Sequence, residues 1–232
     1  MKLEKADIPL STPINSDEFI EAAEKAFDCV VNGVSEFYPW KKPDTTKDFN
    51  IGVIVGSSGS GKSTLLNSFG KEEEPVWFSD KAIVSHFGSP DNAINLLTAV
   101  GLNSVPSWYK PYHVLSNGEK FRADLARKIK DGAVIDEFTS VVDRNVAKAA
   151  SVALVRYIKK SNIKNVVLST WHRAILECLE PDLVIDTDLG EHTEGFFLLD
   201  QKLETTFIEQ IKASGPCLKS ITIYRVPYQR IK

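Results

Sequence analysis

The chain has 232 residues, a formal charge of −3, 43% hydrophobic and 25% charged residues, which is the composition of one large globular domain. The mild negative charge excludes bulk attraction to nucleic acid or to an acidic membrane. No apolar window has the length of a membrane span, and Met1-Lys2-Leu3-Glu4-Lys5-Ala6-Asp7 has no signal-peptide core.

In chain order, Ser16-Asp17-Glu18 is a capping signal for a helix running to about Val31, with Phe19, Ala22, Ala23, Ala26 and Phe27 on one side. Pro39 to Lys47 reads as a polar turn. The apolar run Ile51 to Val55 is a buried strand. Gly56 to Thr64 is a glycine-rich turn opening a helix at Leu65 and Leu66, which ends in the solvated Lys71-Glu72-Glu73-Glu74-Pro75. Ala82 to Phe87 is a short strand candidate, broken by Gly88-Ser89-Pro90-Asp91, which caps the helix of Ala93, Leu96, Leu97 and Val100. Gly101 stops that helix. Glu119 to Lys130 carries Phe121, Leu125 and Ile129 at four-residue spacing, the pattern of an amphipathic helix.

Ala133-Val134-Ile135 is a continuous apolar run of the kind buried in a parallel sheet. A helix from about Asn145 to Lys160 turns Val146, Ala149, Ala150, Ala153, Leu154, Tyr157 and Ile158 inward. Val166-Val167-Leu168-Ser169 is a strand, Arg173 to Leu179 a short helix and Leu183-Val184-Ile185-Asp186 a further strand. Gly195-Phe196-Phe197-Leu198-Leu199 and Ile221-Thr222-Ile223-Tyr224 read as edge strands. Strands alternating with helices predict an α/β fold with a largely parallel core sheet flanked by helices. The expected organisation is one domain over 1–232: an N-terminal region 1–50, a core 51–187, and a β-rich edge with a basic tail over 188–232. Cys29, Cys178 and Cys217 form neither a disulfide framework nor a metal-ligand spacing, which fits a reducing compartment.

Gly56-Ser57-Ser58-Gly59-Ser60-Gly61-Lys62-Ser63-Thr64, between a strand and a helix start, is a P-loop. Its backbone N–H groups cradle phosphate and the helix adds its positive end. Lys62 is placed to reach the β- and γ-phosphates and the Ser63 hydroxyl to bind Mg²⁺. Asp136-Glu137 ends the strand Ala133-Val134-Ile135, where sites of open α/β sheets gather. Asp136 is the candidate to hold Mg²⁺ through its water shell, and Glu137 the candidate to orient and deprotonate an attacking water. Leu115-Ser116-Asn117-Gly118-Glu119 stands at a helix start and supplies a second phosphate-binding candidate.

The order of Gly56 to Thr64, Leu115-Ser116-Asn117-Gly118, Asp136-Glu137, Ser140-Val141-Val142-Asp143 and Thr170-Trp171-His172 resembles the ATP-binding cassette (ABC) ATPase superfamily over about Ile51 to Asp186. The stretches Leu115 to Ala123 and Ile135 to Arg144 resemble an ABC-type ATPase family in which some members carry a fused acetyltransferase domain and phages encode stand-alone forms. The resemblance implies that Ser116, Asn117 and Gly118 form a signature motif closing on the γ-phosphate of a second protomer. It also implies that Asp143 lies at the dimer seam and His172 touches the γ-phosphate. Asn117 and Glu119 stand where the family has Gly and Gln, and Glu119 adds negative charge near a phosphate site. His86 occupies the place of the family's Q-loop glutamine, as a metal-side residue or as a packed or solvent-side histidine. Phe37, Tyr38 or Trp40 is a candidate to stack on adenine, or a core residue.

The implied machine is a P-loop NTPase of ABC type with a short helical subdomain and β-rich edges. It would take Mg²⁺ and ATP at composite sites of a head-to-tail homodimer and drive a protein or nucleic-acid assembly, from the cytoplasm (the host's, if phage-encoded) and without membrane insertion. Two alternatives remain: an ATP-gated scaffold dimer with little turnover, and the ATPase subunit of a transporter. The tail residues Lys212, Lys219, Arg225, Arg230 and Lys232 suit either a phosphate backbone or a charged, protected edge strand.

Overall fold

The computed structural model describes residues 1–45, 48–140 and 142–195. The predicted strands at Gly195 to Leu199 and Ile221 to Tyr224, the basic tail, Cys217, Val141 and the end of the turn at Lys47 therefore lie wholly or partly outside the described residues.

Strands β1 (Leu10–Pro13) and β2 (Val34–Phe37) pair antiparallel as a separate two-stranded sheet, with Leu10 opposite Phe37. Helix α1 (Glu18–Phe27) lies between them in sequence. Asp17 caps it by accepting from the N–H groups of Phe19 (3.0 Å) and Ile20 (2.9 Å), as its side-chain chemistry predicts. The helix stops four residues before Val31 because Asp28 adopts left-handed angles, φ 50°. Its expected inward side faces water instead: no residue of α1 is buried, and Phe19 and Phe27 are 75% and 81% exposed.

The main sheet has the order β4–β5–β3–β6–β7, built from β3 (Ile51–Val55), β4 (Val134–Ile135), β5 (Val166–Thr170), β6 (Leu183–Asp186) and β7 (Glu191–Glu194). The first four strands in that order run parallel, and β7 runs antiparallel against β6. Every residue of β3, β5 and β6 is buried, which explains why their sequences are continuous apolar runs rather than alternating ones. One core cluster joins Phe49, Ile54, Leu65, Leu66, Val134, Val167, Leu183 and Ile185. β4 is an edge strand of only two residues, paired on one side through Val134 with Val167 and Ile135 with Leu168.

Helix α2 (Lys62–Leu66) is shorter than its sequence suggests. Three-residue hydrogen bonds from Ser68 to Leu65 O and Phe69 to Leu66 O tighten and end it, well before the acidic loop. The predicted strand at Ala82 to Phe87 is instead a 3₁₀ turn over Ile83–His86. Only Ile83 of that turn is buried, and His86 Nδ1 closes back onto Ala82 O at 2.9 Å, which an extended chain cannot do. Helix α3 (Pro90–Ala99) has the predicted Ser89 cap and buries Ala93, Leu96 and Leu97, with Gly101 at φ +78° just beyond its end. Helices α4 (Val105–Trp108) and α5 (Asn117–Lys128) complete the helical subdomain, α3 packing on α5.

Helix α6 (Arg144–Ser161) buries Ala147, Ala150, Ser151, Leu154, Val155 and Ile158. The expected face is therefore rotated: Ala149 is exposed and Val146, Ala153 and Tyr157 are half-buried. Ser151 can join the core because its hydroxyl donates to Ala147 O at 2.8 Å. The predicted short helix at Arg173 to Leu179 begins as a 3₁₀ turn over Arg173–Ile175 and continues as α7 (Leu176–Leu179). Among the described residues no helix is long and apolar enough to cross a membrane.

Candidate phosphate-binding site

The strand order places the predicted residues at one edge. Gly56 follows β3, Asp136 and Glu137 follow β4, and Trp171 and His172 follow β5, all at the carboxyl ends of neighbouring parallel strands. β5 lies between β3 and β4, so the loop and the acids stand about two strand spacings, roughly 10 Å, apart.

The loop has the geometry its glycines predict. Gly61 caps α2 at φ 91°, an angle that disfavours any Cβ. The first helical bond of α2 runs from Leu65 N–H to Gly61 O (3.0 Å), so the N–H groups of Lys62, Ser63 and Thr64 precede the helical ladder and face the loop end. A Cβ at Gly56 would sit 2.0 Å from Thr187 Oγ1 and 2.6 Å from Ser60 Oγ, so only glycine fits there. Lys62 Nζ donates to Ser57 O at 2.5 Å, folded back on its own loop.

The N-terminal aromatics wall this loop. The Phe37 ring lies 2.6 Å from the position of a Cβ on Gly61, and Trp40 Nε1 donates to Ser60 O at 3.2 Å. Of the three adenine-stacking candidates, Phe37 and Trp40 are thus packed on the loop itself, and Tyr38 is 42% exposed.

Asp136 Oδ1 accepts from the Ser169 hydroxyl and from Glu137 N–H (2.9 Å). Glu137 N–H also reaches Ser169 Oγ at 3.1 Å, while its own side chain is exposed and its φ is 47°. A glutamate held at left-handed angles is backbone strain of the kind found at functional sites. The following Phe138 is fully buried against Phe121 and anchors the turn.

The start of α5 at Ser116 is tied down by Glu119. Its carboxylate accepts from Ser107 Oγ (2.5 Å), Ser116 N–H (2.9 Å) and Ser116 Oγ (2.7 Å). The Ser107 hydroxyl first, then the Ser116 N–H and hydroxyl, pull Glu119 down to about 2. Glu119 therefore acts as a capping-box acid, and the Ser116 hydroxyl proton points at it rather than outward. A 580 Å³ cavity has Asn117, Lys120 and Asp124 of α5 on one side and Asp136, Glu137 and Ser140 on the other. Asp143 is exposed and caps α6, accepting from Asn145 N–H (2.8 Å) and Val146 N–H (3.1 Å).

The His172 ring lies tilted by 31° against the exposed Trp171, ring centroids 3.5 Å apart, and the residue's main-chain N–H donates to Thr170 Oγ1 at 3.1 Å. Partial burial and the Arg144 charge hold its imidazole below the usual histidine range, hence neutral at pH 7. Both ring nitrogens of His86 are engaged by neighbouring backbone groups. Its Nε2 accepts from Phe78 N–H (2.9 Å), its Nδ1 pairs with Ala82 O, and its ring lies against Trp77 and Phe78, so neither nitrogen has a lone pair to spare. Among the described residues no group of three His, Cys, Asp or Glu is arranged to hold a metal.

Sequence reasoning missed Ser169, which donates to Asp136 and accepts from the Glu137 N–H, and Ser107, which donates to Glu119. It also missed Arg173 and Asp188. Asp188 takes the Ser57 N–H at 2.9 and 3.0 Å and the Ser57 hydroxyl at 2.8 Å, from 131 residues away. The one local signal for it was the polar Asp186-Thr187-Asp188 run closing a buried strand.

No family model matches the chain. The macrolide export ATP-binding/permease protein MacB of Bartonella henselae is 28% identical over 153 aligned positions, which take in 42% of this chain and 23% of that protein. The chain thus covers less than a quarter of that relative's length. Among solved structures, the ATP-binding cassette MJ0796, a dimer in a post-hydrolysis state bound to ADP and Pi, is 12% identical. That match covers 83% of this chain and 98% of the cassette at a TM-score of 0.54. A second dimeric structure of MJ0796, described as a bacterial ABC transporter cassette, is 13% identical, covers 69% of this chain and 92% of the cassette, and has a TM-score of 0.51. The fold is that of an ATP-binding cassette, an α/β layer structure with a mostly parallel central sheet flanked by helices.

Proposed function

We propose that the chain is an ABC-type ATPase that binds and hydrolyses Mg-ATP at sites shared between two copies of itself. The observation that carries this reading is the P-loop, with Gly61 at φ 91°, set at the same sheet edge as Asp136 and Glu137. Phosphoryl transfer asks the protein for positioning and charge rather than for covalent chemistry. Lys62 swings from Ser57 O to the phosphates, while the N–H groups of Lys62, Ser63 and Thr64 bind them. Glu137, exposed beside the cavity, takes the proton of the attacking water. The neutral His172 donates a hydrogen bond towards the γ-phosphate.

The residues fit Mg²⁺. Ser63 is an exposed hydroxyl at the helix start, and Asp136 keeps Oδ2 after Oδ1 has accepted from Ser169 and Glu137. The metal's charge would neutralise the β- and γ-phosphate oxygens there. Ser116, Asn117 and Gly118 reach the nucleotide from the second copy. For that, Ser116 must exchange its Glu119 bond for a phosphate oxygen. The likeness to dimeric cassettes supports the paired arrangement.

The cycle then drives a protein or nucleic-acid assembly. The similarity to the macrolide export ATP-binding/permease protein favours a second reading, the ATPase part of an exporter. Phosphate release by wild type, Lys62→Ala and Glu137→Gln, with size-exclusion chromatography in ATP, tests the main reading. Glu137→Gln should lose hydrolysis and elute as a dimer. A wild-type rate equal to that of Lys62→Ala would refute turnover. A membrane protein co-purifying with the ATP-trapped Glu137→Gln dimer would establish the exporter reading.

A further inference from the structure

The segment that follows β6 packs against the start of the P-loop, at Gly56, Ser57 and Ser60, and is bonded to it. Thr187 Oγ1 lies 2.6 Å from Ser60 Oγ and donates to Val55 O at 3.0 Å, while Asp188 binds both the N–H and the hydroxyl of Ser57. Arg173, the residue directly after His172, closes the other side. Its Nη2 donates to Asp188 Oδ2 (2.9 Å) and Asp186 Oδ1 (3.0 Å), and its Nη1 to Asp186 Oδ2. Asp186 is 9% exposed and also accepts from the N–H groups of Asp188 and Leu189, each at 3.0 Å.

We propose that Arg173, Asp186 and Asp188 form a clamp that sets the position of His172 relative to the P-loop, with Arg173 and Asp188 as positioning residues for ATP hydrolysis. The proposal rests on the ATPase reading above. One planar guanidinium bridges two carboxylates, one fixed to the sheet and the other to Ser57. Lysine cannot reproduce that fork, because its ammonium is a point charge on a flexible stem. The bridge is weighted towards the sheet: Asp186 takes two hydrogen bonds from the guanidinium and Asp188 one. Burial pushes Asp188 up, but the Ser57 and Arg173 bonds outweigh it and keep the carboxylate ionised. Because His172 and Arg173 are consecutive, anchoring the guanidinium fixes the peptide from which the imidazole projects. Small displacements of such a group are expensive in rate: an error of about 1 Å can lower turnover by about a hundredfold.

The test is a double-mutant cycle on the full chain, read as kcat and KM for ATP, with amide hydrogen exchange over 56–61 and 170–175. Arg173→Lys should lower kcat about tenfold or more with KM little changed, and should have no further effect in a His172→Ala background. Asp188→Asn keeps an acceptor for Ser57 but loses Arg173, and should speed exchange in both segments. Equal factors in both backgrounds, or a full wild-type rate for Arg173→Lys, would overturn the clamp, as would unchanged exchange in Asp188→Asn. A wild type no faster than Lys62→Ala would instead sink the ATPase reading, while the exchange experiment still decides whether the clamp exists.

Discussion

At Glu137 the side chain proposed as general base and the backbone that carries it have opposite demands, and the two effects can be separated by mutation. Its φ of 47° costs an L-residue about 1–2 kcal/mol. The conformation is held through Glu137's main-chain groups and not its side chain: the N–H shared by Asp136 Oδ1 and Ser169 Oγ, and the carbonyl that accepts from Ser140 N–H at 2.9 Å. Glu137→Ala and Glu137→Gly both keep these bonds and both remove the carboxylate, so both should lose hydrolysis by about 10²–10⁴-fold. Only Glu137→Gly removes the strain. Its freer unfolded chain offsets about 0.4–1 kcal/mol of that gain. Glu137→Gly should therefore be more stable than Glu137→Ala by about 1 kcal/mol, a Tm difference of about 2–4 °C for a chain of this size. Calorimetry of the two variants beside a phosphate-release assay measures both effects. A lower Tm for Glu137→Gly than for Glu137→Ala would refute the strained turn. Wild-type turnover in Glu137→Ala would refute the general-base role.

Gly56→Ala forces a methyl 2.0 Å from Thr187 Oγ1, and should cost about 1–3 kcal/mol in urea denaturation and weaken nucleotide binding measured by fluorescence titration. Glu119→Gln gives up a carboxylate whose pKa is depressed in the fold. The stabilisation that carboxylate provides is complete above the unfolded pKa near 4.5 and is lost as pH falls towards about 2. Urea denaturation should find the variant weaker at pH 7 by about 1 kcal/mol, with the gap narrowing by pH 3. His86→Phe loses two hydrogen bonds, so it should destabilise by about 1–2 kcal/mol while the Mg²⁺ dependence of hydrolysis stays as in wild type. Leu154→Ala opens a cavity under α6 and should cost about 2–5 kcal/mol by the same denaturation measurement.

Legibility in the sequence followed the range of the interactions. The P-loop, the acid pair at Asp136-Glu137 and the Ser89 cap each depend on residues within a few positions, and each lies where its local chemistry puts it. Ala82 to Phe87 misled because two β-branched residues in a row outweighed the turn that His86 makes back to Ala82 O. The buried face of α6 is rotated from the apolar pattern because Ser151, a polar residue, enters the core with its hydroxyl satisfied within the helix. Helix α1 has a clean amphipathic pattern whose apolar side nevertheless lies open in the described structure, and nothing in its own residues reports that.

From residues alone one can derive a glycine-rich loop between strand and helix, two acids at a strand end and an alternating α/β layer order. Those features are written in glycine placement, charge and apolar run length. Which groups hold them in place is a tertiary matter. Ser57 is gripped by Asp188, Asp136 by Ser169, the signature serine by Glu119 with Ser107 behind it, and the residue after His172 by Asp186 and Asp188. Most of these partners are separated by 13 to 131 residues, and they meet because parallel strands bring their carboxyl ends to one edge. Sequence spacing carries no trace of that meeting, since a hydrogen bond depends on distance in space and not along the chain.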